Sequence, residues 1–233
     1  MKKILFISSL AAVLAVSSCK KSDFANSYTD PSKIAVSSVE KQFAGFVNSN
    51  LGYVMPGYWN YFVVQRITNN RYTQSVGWSN ATGQYIPGGG AVSDHWNAYY
   101  TFLSQYKELV KINKALSAAD QADRRIFMIA ATIYFYDYTQ KMVDVHGDLP
   151  WSGAGMLSAN GGDYLASLPK YDKAQDIYTK MLDDLKAFST ELNSLTIPAA
   201  IQTAFNTQDF ILKGSKVAWT RYCNSLRLRM LTR

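Results

Sequence analysis

Residues 144–151, DVHGDLPW, put two carboxylates and an imidazole at alternate positions. Asp144, His146 and Asp148 are the residue types that ligate divalent metals or pass protons. Their spacing argues against both roles. In a helix that ends at His146, Asp144 and His146 lie two residues apart and point to different faces. A metal site needs donors converging from several directions, typically histidines at i,i+4 or carboxylates on facing helices. The other histidine of the chain is His95, and no His-Glu-x-x-His spacing occurs. The eight residues read better as a helix stop. Gly147 suits the left-handed position just past the end, His146 is favoured at the negative end of the dipole, and Pro150 blocks continuation. Asp148 is expected to accept hydrogen bonds from local backbone amides of the turn. No metal and no cofactor is expected.

Other catalytic arrangements fare no better. A glycosidase needs two carboxylates facing each other across a cleft, and nothing singles out a pair among Asp94, Asp137 and Asp163. A serine hydrolase needs a Gly-x-Ser-x-Gly elbow between strand and helix, and the sequence has neither.

The elements that would carry these residues are helical. Val39, Phe43, Phe46 and Val47 make a first short stripe. Trp59, Phe62, Val63, Arg66, Ile67 and Asn70 continue at helical spacing from about Pro56 to Gly77. Residues 77–93, GWSNATGQYIPGGGAVS, break all periodicity and read as a long glycine-rich loop. Ser93 can cap the next helix, whose stripe is Trp96, Tyr99, Tyr100, Leu103, Tyr106 and Val110. A helix that ends at His146 follows, with Ile126, Phe127, Ile129, Ala130, Ile133, Tyr134 and Tyr138 leaving little polar surface. It must be covered on both flanks. After a second loop, 148–170, Asp172 and Gln175 stand at capping-box spacing before Ile177, Tyr178, Met181, Leu182, Leu185, Phe188 and Leu192. Asp176 and Lys180 form an i,i+4 pair. A final helix places Trp219, Tyr222, Cys223, Leu226 and Met230 on one face. With no strand alternation of any length, the expected fold class is all-α: antiparallel helical pairs stacked in the manner of a tetratricopeptide solenoid, with long loops. The last helix stops with its stripe still running, so the sequence is expected to be the N-terminal part of a longer protein.

The N-terminus is a different matter. MKKILFISSLAAVLAVSSC joins Lys2 and Lys3 to an apolar run, Ile4 to Val16, and closes on small residues and a cysteine. That is a secretory signal, too short and wrongly flanked for a membrane span. Val16-Ser17-Ser18-Cys19 resembles a bacterial lipobox, which implies removal of residues 1–18 and fatty acylation (palmitate) of Cys19. Residues 19–35 then form a lipidated tether, and 36–233 the helical body. Two cysteines are present, Cys19 and Cys223; with Cys19 lipidated no intramolecular disulfide can form, so the core alone must stabilise the domain. The precursor charge is +7, and loss of Lys2 and Lys3 leaves 22 basic against 17 acidic residues. The excess is scattered, and an exported protein gives no reason to expect nucleic acid.

Four segments together resemble the SusD/RagB family of outer-membrane nutrient-binding lipoproteins. They are the lipobox with DFANSYTDPSK after it, DVHGDLPWSGA, LPKYDKAQDIYTKMLDDLKAF, and GSKVAWTRYCNSLRLRMLTR with its Trp219, Asn224, Ser225, Leu226 and Arg229. Gly214-Ser215 stands where relatives often have Gly-Asp. The resemblance implies a tetratricopeptide-like scaffold on the outer membrane, exposed at the cell surface, that partners a SusC-like TonB-dependent transporter. It implies capture of oligosaccharides, sometimes peptides, without cleavage.

Aromatics supply the candidate ligand contacts, since sugar rings stack on Trp and Tyr. Trp78 and Tyr85 on the glycine-rich loop come first, then Trp96 and Asn97 at the start of the next helix, with Trp151 behind them. Trp219 is assigned to the core. Arg227 and Arg229 read as a helix face paired with acids. The alternatives are a helical-repeat scaffold lipoprotein that binds proteins only and, third, an exported glycan-acting enzyme.

Overall fold

The computed structural model describes residues 37–66 and 89–233, with Asn70, Thr73 and Ser75 between them. Five long helices carry the architecture: α1 (Val39–Ser49), α3 (Gly89–Lys114), α5 (Arg125–His146), α6 (Ala174–Ser194) and α8 (Lys216–Leu231). Shorter helices fill the joints: α2 (Leu51–Val54), α4 (Ala118–Asp123) and α7 (Ala199–Gln208). A π-helical turn, Asn60–Gln65, follows α2. The fold is all-α apart from two two-residue strands, β1 (Leu149–Pro150) and β2 (Tyr171–Asp172), paired antiparallel.

Side-chain contacts fix the helix directions. Tyr99 meets Thr139 and Tyr106 meets Thr132, so α3 and α5 run antiparallel. Arg125 on Glu191 and Tyr136 on Asp184 make α5 and α6 antiparallel in turn. Glu40 pairs with Arg124 just before α5, and Asn50 bonds Tyr134, so α1 and α5 run parallel. Arg229 on Asp137 and Arg233 on Asp144 do the same for α5 and α8. Helices α1, α5 and α8 thus point one way, and α3 and α6 point back between them. This is the alternating arrangement of stacked helical hairpins.

The core follows the expected stripes. Val39, Phe43, Phe46 and Val47 are buried on α1, which Ser38 caps by accepting from the Lys41 amide. Helix α5 is buried almost all round, as its polar-poor sequence demands, because α1, α3, α6 and α8 all pack on it. Phe205 of α7 locks against Phe43 and Phe127. Trp219, Cys223, Leu226 and Met230 are buried on α8, as expected. The buried Asp209 carboxylate ties the α7–α8 turn, accepting from the amides of Ile211, Leu212 and Gly214 and from Trp219 Nε1. Gly214 is obligatory there: its φ is +74°, and a Cβ would lie 2.7 Å from the Asn206 Cα. Ser215 caps α8 through the Ala218 amide.

Several local expectations need correction. Helix α3 starts at Gly89, so Ser93 lies inside it rather than capping it, and the glycine run 89–90 is helical. The N-cap of α6 is Lys173, not Asp172. Lys180 pairs with Asp184 rather than with Asp176; both partners lie at i,i+4, and Asp184 also serves Tyr136 across the helix interface. Of the helix expected from about Pro56 to Gly77, residues 58–65 are helical, passing into the π-helical turn at Asn60, and Asn70 is helical as well; most of the remainder lies outside the described residues. No helix among the described residues is long and apolar enough to cross a membrane.

Candidate functional site

DVHGDLPW behaves as a helix stop, but its acids act at longer range than a turn. Gly147 takes φ +75° and its amide closes on the Val143 carbonyl. Asp148 does not serve a local amide; it accepts from the Ala174 amide at 2.9 Å, satisfying the N-terminus of α6. Asp172 reciprocates by accepting from the amides of Trp151 and Ser152 and from the Ser152 hydroxyl. The two carboxylates thus clasp the base of the 148–172 loop across the β1–β2 bridge. Asp144 accepts from the Tyr178 hydroxyl and pairs with Arg233 at 3.4 Å.

His146 has a partner that spacing along the chain does not reveal. The α3–α5 register brings His95 to it, Nδ1 to Nε2 at 3.3 Å, with rings stacked at 5.5 Å. One ring must donate and the other accept. Burial, then the neighbouring His146, pushes His95 down to about 4, and burial lowers His146 as well. No third donor joins them: among the described residues no group of three His, Cys, Asp or Glu could hold a metal ion.

Both histidines line a cavity of about 1730 Å³, larger than the usual range for a small-molecule pocket. Its walls are the C-terminal ends of α1 and α5, helix α2, the first turns of α3, and the α7–α8 turn, with Arg233 just past the end of α8. Tyr53 and Tyr138 stack directly on each other in its wall at 4.1 Å, and the Lys141 ammonium lies over the Tyr53 ring at 5.2 Å. Burial, reinforced by Asp137, raises the Tyr53 hydroxyl to about 12.

The ionised groups on these walls are committed to one another. Asp137 accepts from Tyr222 and Arg229 and pairs with Lys141 at 3.2 Å. Burial alone would raise its carboxyl; those hydrogen bonds and cations outweigh it and hold Asp137 below the usual range. Asp94 accepts from Trp59 Nε1.

Beside the cavity stands an aromatic ridge. Tyr58 is 78% exposed and Trp59 59% exposed, with Tyr61 and Phe62 also exposed beside them. Tyr58 and Phe62 lie 4.6 Å apart, and the Arg66 guanidinium sits over Phe62 at 5.5 Å. Sequence spacing put Trp59 and Phe62 on an amphipathic stripe. They form a solvent-facing surface instead, and a π-helical turn such as theirs is common at functional sites.

The sequence-derived candidates fall in different places. Trp78, Tyr85 and Cys19 lie outside the described residues. Trp96 is half-buried, set edge-on to His146 and against Tyr100, and is not among the residues that line the cavity. Asn97 is exposed, and its carbonyl accepts from Thr101. Trp151 is half-buried near Tyr136, and Trp219 is in the core. Of the C-terminal arginines, Arg229 pairs with Asp137 as expected, whereas Arg227 Nε is buried without an acceptor.

A family model described as SusD-like, starch-binding and associating with the outer membrane, matches residues 36–233. The chain belongs to the SusD-like family. The match spans the whole helical body, cavity and aromatic ridge included. No curated protein matches the chain significantly.

Proposed function

We propose that this SusD-like protein is a cell-surface lipoprotein, held on the outer membrane by a lipid on Cys19. It captures oligosaccharides and passes them intact to a SusC-like TonB-dependent transporter. Membership of a starch-binding, outer-membrane family over residues 36–233 is the observation that carries this reading. Two features support it. The cavity and the Tyr58–Phe62 ridge offer aromatic faces beside hydrogen-bonding groups, the combination that sugar rings require. Among the described residues of the cavity walls, Asp94, Asp137 and Asp144 are each engaged by protein donors, which leaves no free carboxylate pair among them for glycoside cleavage.

Affinity electrophoresis of the protein through gels containing starch and other polysaccharides tests capture, and unchanged polysaccharide length after incubation tests the absence of cleavage. Retardation by at least one neutral glycan is expected. Detergent extraction should recover a TonB-dependent transporter with the protein, and Cys19→Ser should release it from the membrane fraction. Retained transporter with no retardation by any polysaccharide would favour peptides or a purely scaffolding role.

A further inference from the structure

His95 and His146 are the two histidines of the chain, and the fold puts both on the wall of one cavity. Their hydrogen bond, between His95 Nδ1 and His146 Nε2, uses one nitrogen of each ring. The outer two, His95 Nε2 and His146 Nδ1, have no protein partner among the described residues. Neither belongs to the buried atoms that lack a partner, and both side chains are half-buried, so both outer nitrogens reach solvent. That sets them apart from the acids and cations of the same walls. Asp94 is engaged by Trp59, Asp137 pairs with Lys141, and Asp144 pairs with Arg233.

A neutral imidazole carries one N–H and one bare nitrogen. The bond between the rings takes the N–H of one and the bare nitrogen of the other. Whichever ring donates has an acceptor left as its outer nitrogen, and its neighbour has a donor left. The neutral pair therefore presents one donor and one acceptor outward in either arrangement. We propose that this pair is a hydroxyl-binding subsite of the cavity, its outer nitrogens bonding hydroxyls of a neutral sugar. The inference rests on the glycan-binding reading and names residues and a ligand class within it. A sugar hydroxyl both donates and accepts, so it satisfies either nitrogen, whereas a carboxylate can use only the donor. A ligand carboxylate also meets cations already in use, since Lys141 and Arg233 are paired. Burial lowers both histidines, which keeps the pair uncharged near neutral pH and its acceptor available. Tyr53, its ring 6.4 Å from that of His95, adds a half-buried phenol whose hydroxyl is likewise unpaired and open to solvent.

The small number of histidines makes the test direct. In an untagged full chain labelled with 15N-histidine, every ring-nitrogen signal belongs to this pair. Saturation with maltoheptaose should shift the outer nitrogen of each ring. In calorimetry, His95→Phe and His146→Phe should each weaken maltoheptaose binding about tenfold or more, the worth of one good hydrogen bond. Ring-nitrogen signals that stay in place while maltoheptaose binds overturn the subsite and leave the glycan reading standing, and they do so on the wild-type chain, whatever the variants do to folding. Equal affinity for an oligogalacturonate overturns the ligand class. A wild-type chain that does not bind maltoheptaose defeats the glycan reading and the subsite with it.

Discussion

Two pentads of this chain, YWNYF at 58–62 and YFYDY at 134–138, have the same aromatic content and opposite fates. In the second, all four rings are buried, within a helix that four others cover. In the first, all four rings are exposed on a π-helical turn that leans chiefly on α3. Four aromatic rings do packing work in one place and present a surface in the other. What separates them is the number of neighbours, which is a property of the tertiary arrangement and not of the pentad. The contrast also locates the candidate site: the cavity lies where the covered helix α5, with Tyr138, meets the uncovered segment around Tyr53 and Asn60.

Truncation should expose the difference most sharply. Phe135→Ala removes a ring stacked on Tyr106 at 4.4 Å and should cost about 3–5 kcal/mol in urea unfolding. A loss below about 1 kcal/mol would mean that the covered pentad is loosely packed and the contrast false.

Acid should act on the two regions in order. His95, on the cavity wall, titrates near 4 when folded against 6.5 as its ordinary value, so the unfolded chain binds more protons between those limits. Stability from this group is complete above about 6.5 and declines as pH falls toward 4. His146, Asp94, Tyr53 and Tyr138 are the titratable groups around it, and among the described residues its ring nitrogens bond His146 rather than an anion. Asp137, inside the covered pentad, is held below its ordinary value, so its contribution persists until pH falls below about 4. Thermal unfolding at about pH 7 and 5 should show a lower Tm at the acidic value, and His95→Gln should flatten that dependence. An unchanged slope in the variant would place the sensitivity elsewhere.

The smallest stability effect belongs to the ridge. Tyr58→Ala and Trp59→Ala should each change unfolding free energy by no more than about 0.5 kcal/mol, as exposed positions do. Retardation in polysaccharide gels should nevertheless weaken in both. Loss of stability comparable to Phe135→Ala would show that the ridge is structural and remove it from the candidate site.

The sequence made the covered half legible. The stripes of α1, α6 and α8 and the all-round apolar character of α5 translate directly into burial, because each helix keeps one period along its length. The site was harder to see. Spacing places Trp59 and Phe62 on a helical face, but it cannot say that no neighbour covers that face. His95 and His146 are 51 positions apart, and only the register between α3 and α5 makes them a pair. Asp148 and Asp172 read as turn or cap residues, yet each serves the other's end of the loop.

That exchange between Asp148 and Asp172 bears on how this surface can change. The chain from Ser152 to Lys170 leaves and re-enters through a base already fastened by backbone pairing and two carboxylates. Length added between those points costs only the slow logarithmic penalty of a longer closed loop, about 0.6 kcal/mol per doubling. Helices α5 and α6 would keep their register whatever is inserted. The segment is therefore a place where new surface can be grown without renegotiating the scaffold beneath it.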